Sequence, residues 1–151
     1  MGIAMHRDAY YRLAGMIALS FISMYILMYA MVNSFDNVFN SVNQVYMAGL
    51  MTAPMVLIEL FLMGGMYPQK KLNIILAIAA GVIGCMFFLL IRLQTLVTDR
   101  QFLRSMIPHH AGAILMCDQA TLQSAEIRSL CKSIIESQNL EIGRMKTLLA
   151  K

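Results

Sequence analysis

The chain has 151 residues, 59% of them hydrophobic and 13% charged, with a mean hydropathy of +0.66. Soluble domains carry about 25% charged residues, so an ordinary soluble domain is excluded. The formal charge of +4 comes without a long run of Lys or Arg, which argues against nucleic acid as a partner.

Three apolar runs, Leu13 to Val32, Val45 to Tyr67 and Leu72 to Ile91, each reach the roughly 20 residues a helix needs to cross a bilayer. The first follows a short basic start, Met1 to Arg12. It is too long for the apolar core of a signal peptide and no A-x-A site follows it, so it reads as a retained span. Asn33 to Gln44 is a polar loop with Asp36 and no basic residue. The second run contains Pro54, which a membrane helix tolerates when its neighbours satisfy the freed carbonyl. Gly64-Gly65 ends it, and Tyr67-Pro68-Gln69-Lys70-Lys71 is a tight basic turn. In the third run Ala77 with Gly81, and Ala80 with Gly84, have the small-residue spacing that lets helices approach closely.

Two features inside the spans carry functional alternatives. Glu59 is the one acid there, a functional candidate by default unless it reaches an interface or a neighbouring Tyr. Met47, Met51 and Met55 share one helix face, as do Met24, Met28 and Met31. Either line suits a relay for a soft cation or, more simply, an apolar stripe facing lipid or another helix.

Arg7, Arg12, Lys70 and Lys71 fall on one side of the bilayer and the first loop has no basic residue. The N-terminus is therefore expected in the cytoplasm. Three crossings then put the C-terminal part outside, in the periplasm if the membrane is a bacterial inner membrane. Arg92, Arg100 and Arg104 oppose this orientation.

From Arg92 the composition changes, with eight Lys/Arg and five Asp/Glu in the last 60 residues. Thr98 followed by Gln101 has the form of a capping box, which predicts a helix from there to about Leu122. Ser124 caps a second helix, Ala125 to near Leu149, and the short gap makes the two an antiparallel hairpin. Two domains follow: residues 1–97 in the membrane and residues 98–151 as the hairpin.

At about 100° per residue, Met106, Ala113 and Cys117 lie on one line of the first hairpin helix. His110 stands to one side of that line, His109 and Met116 to the other. Neighbouring histidines on a regular helix cannot face one point, but a kink at Pro108 would bring both rings to a common site. On the second helix Cys131, Ile134, Gln138, Glu141, Ile142 and Met145 lie within about 60° of Ile127 and form the expected core stripe. Glu141 would then aim at an apolar interior and need a partner: a histidine, an arginine or a metal. Cys85, Cys117 and Cys131 are odd in number and lack paired spacing, so no disulfide framework is implied. Cys117 and Cys131 read as small core residues, with thiolate ligation as the alternative.

Asp99-x-x-Phe102-Leu103-x-x-Met106-Ile107-Pro108-His109-His110-x-Gly112-Ala113-Ile114-x-Met116, then Ile134-Ile135-x-x-Gln138-x-x-Glu141-Ile142-x-x-Met145, resembles the domain-of-unknown-function-305 family. That family includes CopM-like proteins implicated in copper and silver binding. The resemblance covers Thr98 to Leu149 and implies a ferritin-like helical unit, usually exported, with a Met/His metal-binding tendency. It departs from many relatives at Ala111 and Leu148, where a Gln and an aromatic residue are common. The three-span anchor belongs to a membrane-bound subset.

The fold class expected is all-α: three transmembrane helices, then a ferritin-like hairpin completed into a bundle by oligomerisation, as a dimer or higher. The candidate metal ligands are Met106, His109, His110, Met116, Glu141 and Met145. Thioether and imidazole donors favour a copper ion, Cu(I) above all. The expected function is soft-metal binding for tolerance or delivery, with a periplasmic metal-handling partner. The alternative is a non-catalytic membrane scaffold whose His/Met/Glu cluster is a structural polar core. Di-iron chemistry needs Glu-x-x-His elements, which the chain lacks, and no nucleophile–base pair or phosphate loop is present, so no enzyme is predicted.

Overall fold

The computed structural model describes residues 2–151, with side chains from Asp8 onward; Arg7, part of the basic start, lies outside the described side chains. The described residues are all-helical: α1 (Gly2–Leu27), α2 (Val42–Leu62), α3 (Lys70–Leu93), α4 (Asp99–Gln119) and α5 (Ala125–Leu149), with short 3₁₀ turns at Met28–Met31, Phe35–Asn37 and Gly64–Met66. The chain divides into two compact units, Met1–Leu27 with Asn43–Thr95, and Met28–Val42 with Leu96–Lys151.

Among the described residues three helices are long and apolar enough to cross a membrane, over Asp8–Met31, Val42–Leu62 and Lys70–Leu93. The middle one is the centre of packing, with 39% of its apolar window buried against 6% for each of the others. The small residues decide how α3 meets α2. A Cβ on Gly84 would stand 3.1 Å from that of Ala53, whereas Gly81 has open space around it. Ala80 is buried and Ala77 packs against the same core, so of the four small residues only Gly81 stands clear. A methyl on Gly49 would overlap the ring edge of Phe87.

The polar groups at the Lys70 end are tied together. Tyr67 donates its hydroxyl to Oε1 of Glu59 at 3.0 Å, Asn73 donates to the Tyr67 carbonyl at 2.8 Å, and Tyr10 donates to Oδ1 of Asn73 at 2.9 Å. Burial, then the hydrogen bond to Glu59, pushes Tyr67 up to about 12, so it stays a donor. Glu59 thus reaches a neighbouring tyrosine. Of the methionine line on α2, Met47 and Met51 are 39% and 40% exposed and Met55 is half-buried.

The second unit is the hairpin together with the first loop. The Thr98 side chain accepts from the Gln101 N–H, and that of Ser124 from the Ile127 N–H, so both N-caps form where the sequence places them. The reciprocal arm of the capping box is absent: Oε1 of Gln101 accepts from the Val42 N–H at 2.9 Å instead. Ile107, Ala111 and Ile114 of α4 meet Ile142 and Met145 of α5 in a core that Val32 and Phe39 of the loop help to cover. Gly112 lies beside the loop, where a Cβ would meet the Met31 carbonyl oxygen at 3.4 Å, an ordinary contact distance. Tyr29 fastens the loop by donating to the Phe39 carbonyl at 2.9 Å. Ile107 is 0% exposed, and such burial is worth about 1.5–3 kcal/mol.

Candidate functional site

Two short runs on facing helices build the site. Met106 and His110 are four residues apart on α4, and Glu141 and Met145 four apart on α5, so each pair shares a helix face. The helices run antiparallel. Nδ1 of His110 lies 3.0 Å from Oε2 of Glu141, which fixes the register. One turn toward the start of α4 is then one turn toward the end of α5, so Met106 stands opposite Met145. Met145 is buried in the hairpin core and Met106 packs against that core. Four of the six expected ligands therefore line one seam.

The other two do not. His109 is exposed and Met116 is 55% exposed. Helix α4 runs unbroken through Pro108, so adjacent rings keep their helical divergence, with centroids 6.0 Å apart and planes at 58°. The common site for both histidines expected from a kink does not form. Glu141 also departs from expectation. Its side chain is 53% exposed, at the margin of the α5 stripe and not in its centre, which runs through Ile135, Ile142 and Met145.

His110 is the unusual group. Its side chain is 13% exposed, and its buried Nδ1 touches Glu141 without the alignment of a hydrogen bond. Burial pulls its pKa below the ordinary value; Glu141 opposes this and His109 adds to it. A neutral imidazole whose Nδ1 has a carboxylate contact but no aligned hydrogen bond is a ligand-competent one. Among the described residues no three His, Cys, Asp or Glu side chains gather to hold a metal.

Cys117 and Cys131 correct a second expectation. They form a disulfide between α4 and α5, with Cα atoms 5.2 Å apart. They are neither free core residues nor available thiolates. The signal for this was their place on the flank of each helix nearest the partner helix, not their spacing along the chain. Cys85 is free.

The family model for the domain of unknown function DUF305 matches residues 89–149. The curated "Uncharacterized protein L153" of Acanthamoeba polyphaga mimivirus is 31% identical over 137 residues, which covers 89% of this chain and 88% of that protein. The chain belongs to the DUF305 family. No solved structure matches it. The DUF305 match takes in α4, α5 and the end of α3, while the likeness to the viral protein extends well into the spans. Residues 28–42 lie outside the DUF305 match, yet they pack in one unit with its residues 96–149.

Proposed function

We propose that this membrane protein holds a soft monovalent metal ion, copper(I) or an ion of the same class, at the hairpin seam. Met106, His110 and Met145 are the donors, and Glu141 is a neighbouring anionic contact. The observation that carries the reading is the buried Nδ1 of His110, which lacks an aligned hydrogen-bond partner on a seam lined by two thioethers. Thioether and imidazole donors select Cu(I) over hard cations. His109 and Met116, on the exposed face of α4, are outside this set.

Further support concerns the compartment. Disulfides persist in oxidising compartments, which agrees with a hairpin outside the cytosol, periplasmic in a bacterium. Arg12, Lys70 and Lys71 on the opposite side agree with a cytoplasmic N-terminus. A second copy is part of the proposal. Phe102, His109 and Met116 on α4, and Ile127, Ile134, Glu141 and Leu148 on α5, each repeat every seven residues, the spacing of helix–helix seams. Phe102, Ile127 and Leu148 are 51%, 48% and 47% exposed.

The test is a Cu(I) titration of the detergent-solubilised protein, with ascorbate as reductant, read by competition with a chromogenic chelator. Met106→Leu, His110→Ala and Met145→Leu should each weaken binding at least tenfold, and His109→Ala and Met116→Leu should not. Equal, weak uptake by wild type and all five variants would leave the scaffold reading, in which the His110–Glu141 contact only fixes helix register.

A further inference from the structure

The Cys117–Cys131 disulfide stands in the wall of a cleft of about 370 Å³ at the turn end of the hairpin. Both cysteines are half-buried, so the sulfurs are not sealed in a core. Two cations share the wall, Arg128 and Lys132, beside Thr121 and Ile135, and no carboxylate lines it. Arg128 is one helical turn before Cys131 and is held in place, since Nη1 donates to the carbonyls of Leu122 at 3.0 Å and Gln123 at 2.8 Å. Lys132 follows Cys131 directly and is exposed.

Disulfides that serve stability alone resist reduction, whereas exposed ones are the labile or reactive class. Exchange begins when a thiolate attacks one sulfur, so the attacking species is already negative. A cationic wall raises the local concentration of such anions. We infer that this cleft is a thiol–disulfide exchange site for a small anionic thiol, one carrying free carboxylates beside its sulfhydryl. The carboxylates meet Lys132 and Arg128 while the thiolate reaches the sulfur pair.

A first thiolate forms a bond to one cysteine sulfur, the protein S–S bond breaks, and its electron pair leaves on the other cysteine as a thiolate. A second small thiolate attacks the mixed disulfide, releasing the small-molecule disulfide and the second cysteine thiolate, and both cysteines take up protons. Two small thiols are oxidised and the protein disulfide is reduced; the reverse sequence restores it.

The experiment uses full-length protein in detergent with Cys85→Ala, so that any new thiol comes from the pair. Reduction by glutathione, which is anionic, and by cysteamine, which is cationic, is followed by maleimide gel shift. Each rate is divided by that thiol's rate with a small neutral disulfide. Glutathione should lead by about fivefold, an advantage on the scale of one or two screened charge contacts. Lys132→Glu should abolish that lead, and so should 1 M salt, where the Debye length is about 3 Å. Equal normalised rates in the Lys132 protein, a lead unchanged by Lys132→Glu, or no exchange with either thiol would each overturn the assignment.

Discussion

Gln101, in the first turn of α4, accepts a hydrogen bond through Oε1 from the backbone N–H of Val42, the first residue of α2, at 2.9 Å. The first N–H groups of a helix have no intrahelical acceptor, so Gln101 serves α2 as a cap delivered from 59 residues away. It also binds the loop of residues 28–42 to the hairpin. Gln101→Ala should cost about 1 kcal/mol and speed hydrogen exchange at the Val42 amide. Gln101→Glu, which keeps an acceptor oxygen, should leave that amide protected. Unchanged exchange in the alanine variant would show that the loop is held by Tyr29 and Phe39 alone.

His110 makes the second unit acid-sensitive. Its folded pKa lies below the ordinary value of 6.5, chiefly because of burial. Between the folded value and 6.5 the unfolded chain binds the proton and the folded chain does not, so stability rises with pH there. The contribution is whole above 6.5, and it is lost as pH falls through the folded pKa. NMR titration of the imidazole should give a value below 6.5, and His110→Gln should flatten the acid limb of the stability curve. Glu141 acts in the raising direction, so Glu141→Gln should move the His110 titration lower still. A value that rises in Glu141→Gln would contradict the contact.

The helices and their caps were legible because each rests on local chemistry. Apolar length marked the spans, and Thr98 and Ser124 marked the hairpin helices, with α5 running Ala125–Leu149 as expected. Across-chain register was not legible. The α5 stripe centred on Ile127 is off because Ile127 is 48% exposed near the turn, while the buried centre passes through Ile142 and Met145. That rotation turned Glu141 outward and let Cys131 face Cys117. The role of the first loop was hidden for the same reason. Nothing local to Val32 or Phe39 announces that they cover Ile107 and Ala111, and Gly112 reads as a family motif residue until Met31 is seen beside it.

Gly49 and Phe87 are complementary in shape, and the fit predicts a paired mutational response. A methyl on Gly49 has no room beside the Phe87 ring. Gly49→Ala should destabilise the span unit by about 1–3 kcal/mol, the usual range for overpacking a fitted contact. Phe87→Leu in the same chain should recover much of the loss. Gly15→Ala and Gly81→Ala, where nothing lies within 4 Å, are the controls and should be near neutral. Thermal unfolding in one detergent compares all four. A Gly49→Ala protein as stable as the controls would mean that the ring moves aside without cost.

The Cys117–Cys131 bond should stabilise the turn end of the hairpin more than its core end. It closes a loop with a sequence separation of 14, and a loop of roughly 15 residues is worth about 3 kcal/mol in the chain-entropy account. The core residues Ile107, Ile142 and Met145 lie beyond it, covered by Val32 and Phe39. Cys117→Ser with Cys131→Ser should therefore raise hydrogen exchange first across residues 117–131, with residues 142–145 exchanging more slowly. The free energy of opening should drop by about the loop-closure figure at the turn end and by less near Met145. Uniform acceleration along both helices would show that the hairpin opens as one cooperative piece, and no change at either end would show that the turn is held by Ser124 and Arg128 without the bond.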